Sequence, residues 1–429
     1  MRSTAGVAER AALEAAWELS DRIFGLVAAE GMLRRPISLR QPFLFYLGHL
    51  PAFAWNHLWR GALARATFDE PKDALFERGI DPPDDADRVT DAGETWPAID
   101  EVLAYRDRVR RQLREALEEP RLASVLPMVI EHELMHHETL LYMVQQLPAG
   151  LRARAAAPVR ITGTRAPGGR IPIPPGVARL GARRDGVFRW DNEHPELLVE
   201  VPAFAIDCFP VTNGEFRDFV EAGGYRDRRL WSDDAWNWRE RNGILAPPFW
   251  RDGWRRVATL LEDVPCEIAA DWPVHVSQCE ASAYARWTDA RLPSEAEFHR
   301  AAFGTPTSDV REHPWGDDAP RTEHGNLGLR YWEPCRVDAH PAGASAWGVH
   351  DLVGNGWEWT RSVFAPFRGF EPLPRYPGYS TDFFDGRHFV MLGASWATAP
   401  RLVRRSFRNW FQPHYPYVFA KFRCVRARA

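Results

Sequence analysis

"LASVLPMVIEHELMHHETLLYMVQQL", residues 122–147, repeats its apolar residues at three- and four-residue spacing over several turns, which predicts a helix burying one face. Within it, "EHELMHHETL" (131–140) reads as either of two metal sites. As H-E-x-x-H it is a zinc site, with His132 and His136 as ligands and Glu133 as the general base of a hydrolase. As H-x-x-x-H-x-E it is a pair of histidines one helical turn apart that needs a third ligand from another segment. Positions four apart differ by about 40° of rotation, so His132 and His136 share one side of the helix. Glu138 lies about 240° round from His132 and suits a supporting role, while His137, about 100° off, suits packing or hydrogen bonding.

The surrounding segments favour the second reading. A metzincin requires Gly and His three and six residues after the second histidine, and those places hold Thr139 and Tyr142. Upstream, "FYLGHLPAFAWNHL" sets His49 in the apolar face of another predicted helix, where a lone imidazole would be an unsatisfied polar group unless it had a partner. A metal shared with His132 and His136 supplies that partner, and His57 is the fallback. Three imidazoles on one face leave up to three positions open, which suits Fe(II) binding a substrate and O2, although three histidines also suit zinc.

Three more stretches share the helical periodicity: "AERAALEAAWELSDRIFGLVAAE" (8–30), "QPFLFYLGHLPAFAWNHLWRGAL" (41–63) and "AIDEVLAYRDRVRRQLREALEE" (98–119). Four such helices predict a four-helix bundle over residues 1–155, interrupted by an acidic Pro- and Gly-containing excursion at 68–97. From 154 to 176 the composition turns to Ala, Arg, Gly and Pro without periodicity, which predicts a linker (156–175) and an extended entry into a second domain, 176–429. That domain reads as α+β and rich in loops: short strands within 187–213, short helices at 214–224 and 277–290, then long Trp- and Gly-rich segments.

Composition narrows the class. The 429 residues exceed one ordinary core, and 45% apolar with 26% charged residues describes a globular chain. A net charge of -4 gives no case for nucleic acid or anionic membrane, so a small-molecule substrate is expected. The five cysteines are odd in number, widely spaced and never in C-x-x-C, which points away from a disulfide framework and toward a reducing, cytoplasmic setting. The N-terminal segment carries charges throughout and lacks the apolar run of a signal peptide, and no stretch is long and apolar enough to span a bilayer.

With "LGH" (47–49) preceding it, the H-x-x-x-H-x-E bundle resembles the DinB-like domain. The second domain resembles the formylglycine-generating-enzyme fold, which is C-type-lectin-like, through "VPAFAIDCFPVTNGEFRDFVEAGGY" (201–225), "WPVHVSQCEASAYARWTDARLPSEAEFHRAA" (272–302), "HPWGD" (313–317), "DLVGNGWEWT" (351–360) and "GASWATAPRLVRRSFRNWF" (393–411). The combination is similar to the ergothioneine-type sulfoxide synthases and the selenoneine synthases. The resemblance implies a non-heme iron enzyme that uses O2 to join sulfur or selenium to C2 of the imidazole of hercynine, trimethylated histidine. It implies iron on His49, His132 and His136, with hercynine's imidazole bound to the metal. Asn409 and Trp410 match pocket-lining residues, Trp410 offering an aromatic face to the quaternary ammonium. Met135 stands where some relatives carry a hercynine-contacting Gln, and the resemblance also allows a structural calcium.

Departures from the family pattern bear on the donor. Residues 391–411 contain no cysteine and Cys424 stands alone, so the second domain is not expected to be a copper oxidase. Relatives that use γ-glutamylcysteine often place Asp after "RNW", where this chain has Phe411. With Gln412, His414, Tyr415 and Tyr417 beside it, the segment leans toward a neutral selenosugar; cysteine stays open because Arg404, Arg405 and Arg408 could serve a carboxylate. The tyrosine such synthases use as a proton or electron donor has Tyr376 and Tyr379 as its candidates here. A zinc hydrolase and a non-catalytic lectin-like module are the alternatives from other classes.

Overall fold

The computed structural model describes residues 4–77, 96–153, 160–161, 163 and 165–427, with side chains from residue 6. The core of the acidic excursion (78–95) and most of the 154–164 part of the linker lie outside the described residues. The chain divides into two compact units, Met1–Ala155 and Ala156–Ala429.

The first unit is built on α1 (Thr4–Phe24), α2 (Phe43–Ala54), a short α3 (Glu70–Leu75), α4 (Ile99–Ala116) and α5 (Leu126–Gln146). Helix α2 runs straight into a π-helical segment, Trp55–Ala62, that holds His57. Helix α1 packs on α5, and α2 packs on both α4 and α5. The ring closes where α4 meets α1 through the ion pairs Arg110–Asp21 (2.8 Å) and Arg114–Glu14 (2.8 Å). This is the four-helix bundle that the periodicity predicts. All twelve residues of α2 are buried, because its sequence is apolar on every side and it is sandwiched between its neighbours. Helix α4, by contrast, buries only the stripe Val102, Tyr105, Val109, Arg110, Leu113 and Ala116.

The second unit mixes short strands and short helices. Its strands are β1 (Arg170–Ile173), β2 (Gly176–Leu180), β3 (Leu197–Val201), β4 (Phe204–Asp207), β5 (Trp250–Arg251), β6 (Arg256–Ala258), β7 (Asp263–Pro265), β8 (Gly356–Val363), β9 (Phe389–Ala394), β10 (Asn409–Phe411), β11 (Ala420–Lys421) and β12 (Val425–Ala427). Strand β1 falls inside the stretch read as linker and pairs antiparallel with β4. The sheets run β1-β4-β12, β10-β9-β8-β11, β2-β3 and β5-β6-β7. Helices α6 (Asn213–Glu221), α7 (Asp233–Arg241), α8 (Cys266–Ala269), α9 (Gln278–Trp287), α10 (Glu295–Phe303) and α11 (Gly378–Thr381) lie between them. Three of these start on reciprocal capping boxes, Thr212 with Glu215, Ser277 with Glu280 and Ser294 with Glu297, which satisfy backbone donors that so short a helix could not otherwise cover. A core of Ile173, Ile206, Phe298, Phe364, Val390 and Leu392 joins α10 to the sheets. All five cysteines are free thiols. Among the described residues no helix is long and apolar enough to cross a membrane.

Candidate functional site

In the first unit, α2 supplies His49 and α5 supplies His132 and His136, and their ligand-capable nitrogens all lie within 4.8 Å of one another. The four-residue spacing on α5 puts two of the rings side by side, with centroids 4.5 Å apart, and His49 faces them at 5.1 and 5.0 Å. His49 is fixed by its other nitrogen. Nδ1 lies 2.8 Å from the carbonyl of Phe76; a carbonyl can only accept, so Nδ1 carries the proton and Nε2 keeps its lone pair for a metal. Gly48 makes that contact feasible, since a Cβ there would stand 2.6 Å from atoms of the Phe76 ring.

Phe76 ends α3, which is itself anchored by a buried carboxylate. Asp73 accepts from Tyr105 Oη at 2.7 Å and from Thr67 Oγ1 at 2.5 Å. Aromatic rings wall the cluster: Phe53 stacks on His132 at 3.5 Å, Phe45 on His49 at 5.3 Å, and Tyr46 tilts against His136 at 5.6 Å. In this dry setting burial pushes His49 down to about 4, partly offset by the Phe76 carbonyl, and pushes His132 and His136 well below the usual histidine range. All three are therefore neutral donors near neutrality, the form that binds a metal. The set fits a divalent first-row ion, with positions left for exogenous ligands.

His57 stays outside the cluster; its ring packs on Phe53 at 4.2 Å. Glu133, between the two α5 ligands, and His137, just after them, belong to a separate network. Ser20 Oγ on α1 donates to Glu133 Oε1 at 2.5 Å and lies 2.8 Å from His137 Nε2, which donates to it because the hydroxyl proton is already committed. His137 thus has the hydrogen-bonding role its helical position suggested. Glu133, whose buried carboxyl is pushed up, is tied to α1, which leaves the zinc-hydrolase reading without its base. Met135 and Glu138 sit half-buried on the same helix.

In the second unit, Asn409, Trp410 and Phe411 form β10, paired antiparallel to β9 with Trp410 opposite Val390. Trp410 stacks on Phe364 at 4.2 Å and 6°, and meets Tyr379 edge-on at 5.4 Å and Phe383 at 5.5 Å. The two candidate tyrosines separate here. Tyr379 lies against both Trp190, at 3.9 Å, and Trp410, whereas Tyr376 packs on Tyr379 at 5.8 Å. Phe411 stacks on Tyr415 at 5.1 Å; Gln412 follows half-buried, and Tyr415 in turn meets Tyr417 edge-on.

Of the flanking arginines, two already pair with carboxylates of the chain itself. Arg404 makes a two-pronged pair with buried Glu193 (2.8 and 2.5 Å), Arg408 pairs with Glu295 at 2.8 Å, and Arg405 is buried and donates to the Arg179 carbonyl at 2.7 Å. Each ties the segment before β10 to a distant part of the chain. Sequence reading missed these partners, as it missed Phe76, Phe45 and Phe53; of these only Phe45 and Phe53, at i−4 and i+4 from His49, left a local signal.

A helical bundle with a three-histidine cluster, joined to a loop-rich domain carrying an aromatic "RNWF" strand, defines a two-part oxidoreductase. Residues 12–140 match the DinB superfamily and residues 160–428 match the sulfatase-modifying factor enzyme 1-like domain. The chain is 42% identical over 314 residues to a hercynine oxygenase of Mycobacterium tuberculosis, covering 72% of each, and 42% identical over 315 residues to a hercynine oxygenase of Mycolicibacterium thermoresistibile, covering 69% of this chain and 67% of that one. It is 30% identical over 504 residues to ergothioneine biosynthesis protein 1 of Neurospora crassa, covering 97% of this chain and 57% of the relative. The chain belongs to the family of these hercynine oxygenases and, like them, is an oxidative enzyme.

Proposed function

We propose that the protein catalyses Fe(II)- and O2-dependent formation of a carbon–sulfur bond at the imidazole C2 of hercynine, using cysteine or γ-glutamylcysteine as donor. The observation that carries this reading is the trio of converging imidazoles on α2 and α5, two of them buried and His136 half-buried, each held neutral near pH 7 by its surroundings. The relatives' names support hercynine and the sulfur pathway over selenium. In the overall change the C2–H and S–H bonds break and the C–S bond forms. Dioxygen accepts the four electrons, one oxygen ending on sulfur as a sulfoxide and the other leaving as water.

His49, His132 and His136 hold the iron, which when bound supplies the activation of O2. The Phe76 carbonyl keeps His49 in the tautomer that presents Nε2. Phe45, Phe53 and Tyr46 exclude water from the imidazoles and keep them deprotonated. Trp410, held by its stack on Phe364, offers its ring to the trimethylammonium, which has no proton to donate and is recognised by an aromatic face. Asn409, beside Trp410 on β10, is read as a second hercynine contact of the second unit. Of the two tyrosines, Tyr379 is the better placed proton donor because it touches Trp410.

A selenosugar donor is the second reading, favoured by one feature. The residue after "RNW" is Phe411 stacked on Tyr415, a surface for a neutral polyhydroxylated molecule, and Arg404, Arg405 and Arg408 are engaged elsewhere. Turnover of hercynine with Fe(II) and O2, compared across cysteine, γ-glutamylcysteine and a selenosugar, tests both. The proposal expects a sulfoxide from at least one thiol; product from the selenosugar alone would replace it with the second reading, and product from none would end both.

A further inference from the structure

The second unit buries an ammonium that plays no part in the chemistry above. Lys421 on β11 is 0% exposed, and the parallel pairing of β11 with β8 sets it opposite Glu358. Its Nζ donates to the carbonyls of Gly354 (2.8 Å) and Gly356 (2.7 Å) and lies 3.6 Å from Glu358 Oε1. The buried carboxylate of Asp351, on the same loop, adds its attraction. The loop is wound to deliver these oxygens. Asp351, Gly354 and Asn355 adopt φ of 51°, 96° and 65°, and the Asn355 side chain locks the turn by bonding the backbone N–H and carbonyl of Cys335.

Two backbone carbonyls and a Glu358 carboxylate oxygen around the ammonium, with the Asp351 carboxyl on the same loop, are oxygens of the kind a hard divalent cation takes, six to eight of them at about 2.3–2.6 Å. Lysine is almost never fully buried without such compensation. Arg423 balances the remaining charge by gripping Glu358 through Nε at 2.8 Å. The geometry points to Lys421 as a tethered cation that fills an oxygen cage otherwise suited to calcium, so that the 351–358 loop is held without a metal ion there. The structural calcium that the family resemblance allows does not fit this cage while the ammonium is in it.

The test uses the full-length protein, with terbium as a luminescent calcium probe excited through tryptophan; Trp357 and Trp359 flank Glu358 in the sequence. In the wild type, calcium is expected to leave Tm unchanged and terbium to give no sensitised emission from this site. Lys421→Gly empties the cage and leaves the carboxylates in excess. Its Tm should fall in calcium-free buffer and rise by about 5 °C or more at saturating calcium but not with magnesium, with sensitised terbium emission that calcium displaces. Lys421→Met, which fills the stem's volume without charge, should lose Tm with no rescue by calcium. Calcium-dependent Tm and terbium emission in the wild type equal to those of Lys421→Gly would overturn the inference, and so would a Lys421→Gly protein indifferent to calcium. The wild-type arm decides even if a variant fails to fold.

Discussion

Gly48→Ala is the most revealing single substitution near the histidine cluster, because it adds one methyl group and touches no ligand. The new Cβ would stand 2.6 Å from three atoms of the Phe76 ring, whereas ordinary contact begins at 3.4 Å, so the ring must retreat by about 0.8 Å. Phe76 is 0% exposed and is packed by Phe45, Trp96 and Tyr105, so it has little room to do so. Overpacking of this kind costs about 1–3 kcal/mol, while Ala in place of a mid-helix Gly returns about 1 kcal/mol, leaving a net loss of roughly 0–2 kcal/mol. The larger consequence is at the metal. Moving Phe76 takes its carbonyl away from His49 Nδ1, and loss of such an outer contact weakens metal binding about 10- to 100-fold. Anaerobic Fe(II) titration beside a thermal melt separates the two effects: weaker iron binding with a small change in Tm is expected. Wild-type iron affinity together with a raised Tm would show that Phe76 does not orient His49, and would refute the reasoning.

The other expectations are simpler. His49→Ala, His132→Ala and His136→Ala should each abolish stoichiometric iron binding, whereas His57→Ala should retain it, read by metal analysis after anaerobic reconstitution. Glu133→Gln keeps an acceptor for Ser20 and should leave iron content and hercynine turnover near wild type; a loss of turnover at full iron occupancy would give Glu133 a chemical role. Arg404→Ala strands Glu193 and should cost about 3–5 kcal/mol in denaturant melts without selectively raising KM for a thiol donor. Phe411→Asp should improve kcat/KM for amino-acid thiols about ten-fold or more relative to a selenosugar by giving the donor ammonium a charged partner; an unchanged ratio would remove Phe411 from donor selection.

What the sequence disclosed follows from the range of the signals involved. The bundle was legible because each helix repeats its own pattern, and His132 and His136 were legible because their geometry is internal to α5. His49 was reachable by asking what a polar ring does in the wholly apolar stretch of α2. Phe76 was not, since it caps the end of a six-residue helix after a non-periodic stretch, and only the fold brings its carbonyl to His49. The arginines of 401–408 show the same limit from the other side. Their residue types suggested a carboxylate ligand, and their actual partners, Glu193, Arg179 and Glu295, come from segments more than a hundred residues away. Strands of two or three residues such as β5, β10 and β11 carry no period to detect; β11 in particular hides Lys421, which reads as a surface residue until its pairing with β8 is known.

Oxygen uptake by the Fe(II)-loaded full chain with hercynine and a thiol, followed by mass analysis of the product in labelled O2, decides the assignment. The three-histidine iron reading predicts uptake that requires hercynine, a product in which hercynine is joined to the donor with one labelled oxygen, and no turnover when zinc replaces iron or His132 is replaced by Ala. Equal turnover by the zinc-loaded protein or by His132→Ala, or oxygen uptake that yields no hercynine-derived product, would contradict it.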